Sequence, residues 1–284
     1  MSDRVQIVEM GPRDGLQNEK VSVSVEARIA FVEALVAAGL TTCEVGAFVS
    51  PKAIPQMVGS DQVLRAASQL PAGEFHVLVP NEKGYEAAIA AGAKVVSVFA
   101  SASEGFSRAN INCSIAESIE RFKPVLVRAK ADGIKVRGYV SCVLGCPFDG
   151  EVKPAAVVSV AETLWNLGCY EISLGDTIGV GTPAKARAML RAVGGDVPMA
   201  KLAMHFHDTY GQALANLYAG MEEGVFVIDS AAGGLGGCPY APGATGNVAT
   251  EDVVYMLEGM GIATGVDMDK LLAATNQMSV LLGR

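Results

Sequence analysis

Histidine is almost absent from this sequence, with three in 284 residues, and tryptophan occurs once. Charge is thin as well: Asp, Glu, Lys and Arg make up 18%, and the acidic side leads by enough to give a formal net charge of −8. A chain of that sign offers no broad basic face, which argues against nucleic acid or an anionic membrane as a partner. No apolar run approaches the roughly 18 residues of a membrane-spanning helix. The opening "MSDRVQIVEMGPRDG" lacks the basic then apolar sequence of a secretory signal. Without such a signal the six cysteines, Cys43, Cys113, Cys142, Cys146, Cys169 and Cys238, read as thiols of a reducing cytoplasm. Cys142 and Cys146 have no second Cys/His pair at zinc-finger distance, and their stretch "YVSCVLGCP" reads as a strand running into a turn, so both are read as packing residues. Absent too is a G-x-G-x-x-G after the first apolar run, the fingerprint of a dinucleotide-binding sheet.

What is present is half hydrophobic, with 32 glycines, enough for a large core with tight turns. Eight short β-rich runs recur: residues 5–10, 42–48, 74–80, 94–100, 135–143, 169–176, 202–208 and 226–234. Between them lie segments with apolar residues at helical spacing, such as "VEARIAFVEALVAAGL" and "AAVVSVAETLWNLG", many closing on glycine. Eight strand-helix units without a linker predict an α/β fold, a (β/α)8 TIM barrel occupying residues 1–284 as one domain. Chemistry in such a barrel gathers at the C-terminal ends of the strands. The unusual residues of this chain fall there.

Two of the three histidines, His205 and His207, stand two apart in "LAMHFHD", and strand alternation sends both to one face. Two readings stand at this point: a pair of hydrogen-bonded core histidines, or two ligands of one metal with Asp208 beside them. Oxygen donors at other strand ends would suit magnesium or manganese. Asp14 in "PRDG" is one such donor, or an Asx turn before Gly15. Asn247 in "GATGNVATED" is another, or an ordinary turn residue. Cys238, in the Gly-rich "GGLGGCPYAPG", is either an acid-base or nucleophilic thiol or an inert small residue. Glu44 and Asp176 are carboxylates near strand ends that a barrel interior tolerates only with partners, and Arg13 is a natural one.

Taken together, "GPRDGLQNEK", "FVSPKAIPQM", "NINCSIAES", "GDTIGVGTP", "HFHDTYGQALAN" and "GGCPYAPGATGNVATEDVVYML" resemble the 3-hydroxy-3-methylglutaryl-CoA lyase family over residues 5 to about 260. The cysteine loop is the most specific piece, because related condensing enzymes of the same barrel lack it. The resemblance implies a divalent cation, Mg2+ or Mn2+, on Asp14, His205, His207 and Asn247. It implies Cys238, Arg13, Asp176 and Glu44 as catalytic residues, with Arg13 and Gln17 toward the substrate and Arg108 and Asn110 toward its CoA portion. It further implies cleavage of the CoA thioester in leucine breakdown, a cytoplasmic homodimer, and no nucleic-acid or membrane partner. Two departures from the family pattern, Ala53 after "FVSPK" and "VGAF" in place of "ATSF", point to a wider acyl pocket and keep a longer-chain substrate open beside a condensing activity.

Overall fold

The computed structural model describes residues 4–237, 240 and 245–284. Eight strands follow one another around a closed barrel: β1 (Gln6–Glu9), β2 (Thr42–Ala47), β3 (Glu74–Leu78), β4 (Val95–Ser101), β5 (Lys135–Ser141), β6 (Glu171–Asp176), β7 (Leu202–Phe206) and β8 (Val227–Ser230). The helices between and after them are α1 (Val25–Ala37), α2 (Ser60–Ala67), α3 (Glu82–Ala90), α4 (Glu104–Ile111), α5 (Ile115–Asp132), α6 (Pro154–Asn166), α7 (Pro183–Val193), α8 (Ala213–Glu222), α9 (Thr250–Gly259) and α10 (Met268–Leu282). This is the TIM barrel that the alternation predicts. No helix among the described residues is long and apolar enough to cross a membrane.

The strands are shorter than the apolar runs. β7 ends at Phe206, so His207 lies one residue past it, although its N–H still donates to Asp176 O at 3.3 Å and carries the ladder on. After β8 the chain turns at Ala232–Gly234, where Gly233 and Gly234 take left-handed backbone that no strand accommodates.

The chain falls into two compact units. In residues 97–229, every residue of β6 and β7 is buried, as expected of parallel strands covered on both faces. Register sets Arg137 beside Glu171, Tyr139 beside Ser173 and His205 beside Asp229. Cys142, Cys146 and Cys169 are buried and reduced, which bears out the packing reading of the first two.

In residues 3–96, 230–237 and 246–284, β1 pairs with β2 through Glu9 and Cys43, and β2 pairs with β3 through a bulge between Glu44 and Gly46. Such bulges re-aim a side chain beside a functional site. Here Glu9 is a buried hub: Oε1 accepts from the N–H groups of Gly11 (2.7 Å) and Ala232 (2.9 Å), and Oε2 from Thr250 Oγ1 (2.6 Å).

Burial pushes the Glu9 carboxyl from an ordinary 4.5 up to about 7, against the opposing pull of its hydrogen bonds. The folded state therefore holds this proton more tightly than the unfolded chain, and Glu9 costs stability as pH rises from about 4.5 to about 7. At most about 3 kcal/mol is involved. A Glu9→Gln amide can keep both N–H acceptances and donate to Thr250. Its unfolding free energy should be flatter than wild type across that window in denaturant titrations, and parallel curves would contradict this.

Candidate metal centre and active site

The segment leaving β1 makes a single π-helical turn, Gly11–Gly15, closed by Gly15 N–H on Met10 O at 3.0 Å. Turns of this kind recur at functional sites. This one sets Arg13 and Asp14 side by side. The buried Arg13 guanidinium donates through Nε to Glu44 Oε2 and through Nη1 to Asp14 Oδ1 (2.5 Å). One cation is thus held between two carboxylates, and Glu44 is fully buried in that pairing. Gln17 follows the turn, with its Oε1 buried and lacking a hydrogen-bond partner among the described residues.

Asn247 approaches the same aspartate. Its Nδ2 donates to Asp14 Oδ2 (2.8 Å) and to Leu235 O (3.0 Å). Gly236, at φ +118°, is what lets the amide lie there, since a Cβ would sit 2.7 Å from Nδ2. With both amide protons used, Asn247 Oδ1 is left buried and without a hydrogen-bond partner among the described residues. A buried carbonyl oxygen so placed is a donor waiting for a cation or a proton.

On β7 and just beyond it, the His205 and His207 rings lie 5.6 Å apart between centroids, the same-face pair that alternation predicts. His205 Nδ1 lies 3.2 Å from Asp229 Oδ2. Ligand atoms of Asp14, His205 and His207 all lie within 4.8 Å of one another. Two imidazole nitrogens, a carboxylate and a nearby amide oxygen form a mixed nitrogen and oxygen set that fits a divalent cation such as magnesium or manganese, and among the described residues no thiol joins that group.

At the end of β6, Asp176 is fully buried, and its carboxylate accepts from the N–H groups of Gly181 (2.7 Å) and Val180 (3.3 Å). Burial raises its pKa, the three N–H contacts of the following loop oppose this, and the balance stays upward. A Cβ on Gly181 would press 2.8 Å from Asp176 Oδ2. On α4, Arg108 and Asn110 are both exposed; Arg108 Nε stands 3.8 Å from Glu104. Tyr240 OH donates to Ala109 O in the same helix (3.3 Å), and its ring packs edge-on to Phe106. Cys238 lies outside the described residues.

Three charged residues inside the strands, Arg137, Glu171 and Asp229, were not singled out by sequence reasoning. Arg137 is wholly buried and donates to Glu171 (2.7 Å), to Tyr139 OH (2.8 Å) and, through both terminal nitrogens, to Asp229 (2.7 and 2.9 Å). The available signal was an arginine and two acids, each set in an apolar strand: "KVRGYV", "YEISL" and "FVIDS".

An α/β barrel with a carboxylate and two imidazoles converging beyond its strand ends is the frame of a metal-assisted enzyme. The chain matches the family model described as HMGL-like over residues 4–278. It belongs to the HMGL-like family, among the hydroxymethylglutaryl-CoA lyases. It is 57% identical over 281 residues to a Pseudomonas aeruginosa 3-hydroxy-3-isohexenylglutaryl-CoA/hydroxy-methylglutaryl-CoA lyase, covering 99% of this chain and 94% of that one. Identity to the mitochondrial hydroxymethylglutaryl-CoA lyase of Homo sapiens is 56%, covering 99% and 86%. A crystal structure of hydroxymethylglutaryl-CoA lyase from Pseudomonas aeruginosa superposes with a TM-score of 0.97 at 56% identity, covering 100% of this chain and 95% of that one.

Proposed function

We propose that this protein is a single-domain carbon–carbon lyase that cleaves 3-hydroxy-3-methylglutaryl-CoA to acetyl-CoA and acetoacetate. The observation that carries the reading is the convergence of Asp14, His205 and His207, in a chain sharing more than half its residues with lyases of that name. These three side chains, with Asn247 Oδ1, would hold the cation. When bound, a magnesium or manganese ion supplies Lewis acidity that lowers the pKa of a chelated hydroxyl.

The protein's own groups account for the remaining steps. Asp176 takes the proton of the substrate's tertiary hydroxyl; its carboxylate is held by the Gly181 and Val180 N–H groups. Collapse of the alkoxide to a ketone breaks the carbon–carbon bond and leaves a thioester enolate. Arg13, oriented by Glu44 and Asp14, stabilises the oxygen on which that charge develops. Cys238 protonates the enolate carbon. Gln17 contributes to the acyl site through its buried Oε1, and Arg108 and Asn110 meet the CoA portion from the exposed face of α4. Leucine breakdown in the cytoplasm and a homodimeric assembly complete the proposal.

A second reading, turnover of longer 3-substituted glutaryl-CoA esters, is favoured by Ala47, which is buried at the end of β2, and by the double name of the Pseudomonas aeruginosa relative. Incubation of esters of increasing chain length with magnesium, assaying acetoacetate or its longer homologue, tests both. Cleavage of the methyl substrate alone leaves the first reading, and cleavage of both adds the second. Absence of any cleavage would overturn the lyase assignment and leave a condensing activity.

A further inference from the structure

Asp229 is placed to do more than balance charge. Arg137 donates to both oxygens of its carboxylate, Nη2 to Oδ1 (2.7 Å) and Nη1 to Oδ2 (2.9 Å), Ser173 Oγ donates to Oδ2 (2.8 Å), and His205 Nδ1 lies 3.2 Å from Oδ2. A wholly buried guanidinium donating to both oxygens, with a hydroxyl donating to one of them, is the environment of an ionised carboxylate, which can only accept. A neutral His205 facing this acceptor must then carry its proton on Nδ1, which leaves the Nε2 lone pair as the only one it can offer.

We propose that Asp229, clamped by Arg137 and Ser173, is a positioning residue that fixes the ring orientation and tautomer of His205, so that Nε2 is presented to the cation. Three further features of the site support this. Strand register places Asp229 of β8 directly across from His205 of β7, so the contact is built into the barrel. Tyr139, which also receives an Arg137 hydrogen bond, lies edge-on to the His205 ring at 6.1 Å and closes another direction in which the ring could turn. Glu171 occupies Arg137 Nε, leaving both terminal nitrogens to Asp229. Partners of this kind raise ligand basicity and set ring orientation at metal sites generally. The inference rests on the metal reading of the site and not on the lyase reaction.

With three histidines in the chain, ring nitrogens can be resolved individually by 15N NMR. In the metal-free wild type, the neutral His205 ring is expected as the Nδ1–H tautomer. A neutral His205 ring protonated on Nε2 would overturn the proposal. Manganese titration of Asp229→Asn should show affinity about 10- to 100-fold weaker than wild type, with Asp229→Glu recovering part of the loss. Equal affinity in a folded Asp229→Asn protein would overturn the proposal too. Should Asp229→Asn fail to fold, Ser173→Ala, which removes one donor and no charge, is expected to show a smaller weakening of the same sign. Wild type that binds manganese but fails to release acetoacetate would leave this proposal standing and remove the lyase reading.

Discussion

A His207→Ala variant should lose most of its affinity for manganese and, with it, about three powers of ten in turnover, the scale of the several kcal/mol that a Lewis-acid cation contributes. The His207 N–H donates to Asp176 O, a backbone bond that does not depend on the ring, so removing the ring withdraws a ligand while that bond at the strand end can persist. The ring's close neighbour His205 has a separate support in Asp229 and should stay in place. Calorimetric titration with manganese, alongside a thermal melt that should shift little, separates loss of the ligand from loss of the fold. Unchanged affinity would return the two histidines to the role of hydrogen-bonded core residues.

Cys238→Ser is expected to behave in the opposite way, keeping manganese affinity while lowering turnover by about 10²- to 10⁴-fold, as loss of an acid-base group does. A serine hydroxyl is far weaker as an acid than a thiol, and no other cysteine can stand in. Cys43, Cys113, Cys142, Cys146 and Cys169 are all buried. Burial pushes the Cys169 thiol up to about 12 and that of Cys43, next to Glu9, well above its ordinary value. Steady-state rates and metal titrations on one preparation check both halves. A near-normal rate would remove the thiol from the mechanism.

The barrel was legible because each strand is an apolar run broken by a turn and followed by a helical period, and eight such units admit few other arrangements. The strand ends were less legible. The run through Asp208 hides the fact that β7 stops at Phe206, since hydrophobicity does not mark where a ladder ends. The His pair was visible from its rarity and spacing, and Asp14 and Asn247 from the loops that carry them. What brings Asn247 to Asp14 is tertiary: a left-handed Gly236 and a contact spanning most of the chain, neither of which a local pattern announces. Asp229 and Arg137 were hidden for a related reason. A single charge in an apolar strand reads as an exception until register shows it facing its counterion.

The central claim is that a divalent cation on Asp14, His205 and His207 enables scission of a 3-hydroxyglutaryl thioester. The most direct test is to incubate the purified protein with 3-hydroxy-3-methylglutaryl-CoA, first stripped by a chelator and then titrated with magnesium or manganese, while acetyl-CoA and acetoacetate are quantified together. The predicted result is no product from the stripped protein, and equimolar acetyl-CoA and acetoacetate that rise with site occupancy. Products formed at full rate without metal, or metal binding with no cleavage of the ester, would contradict it.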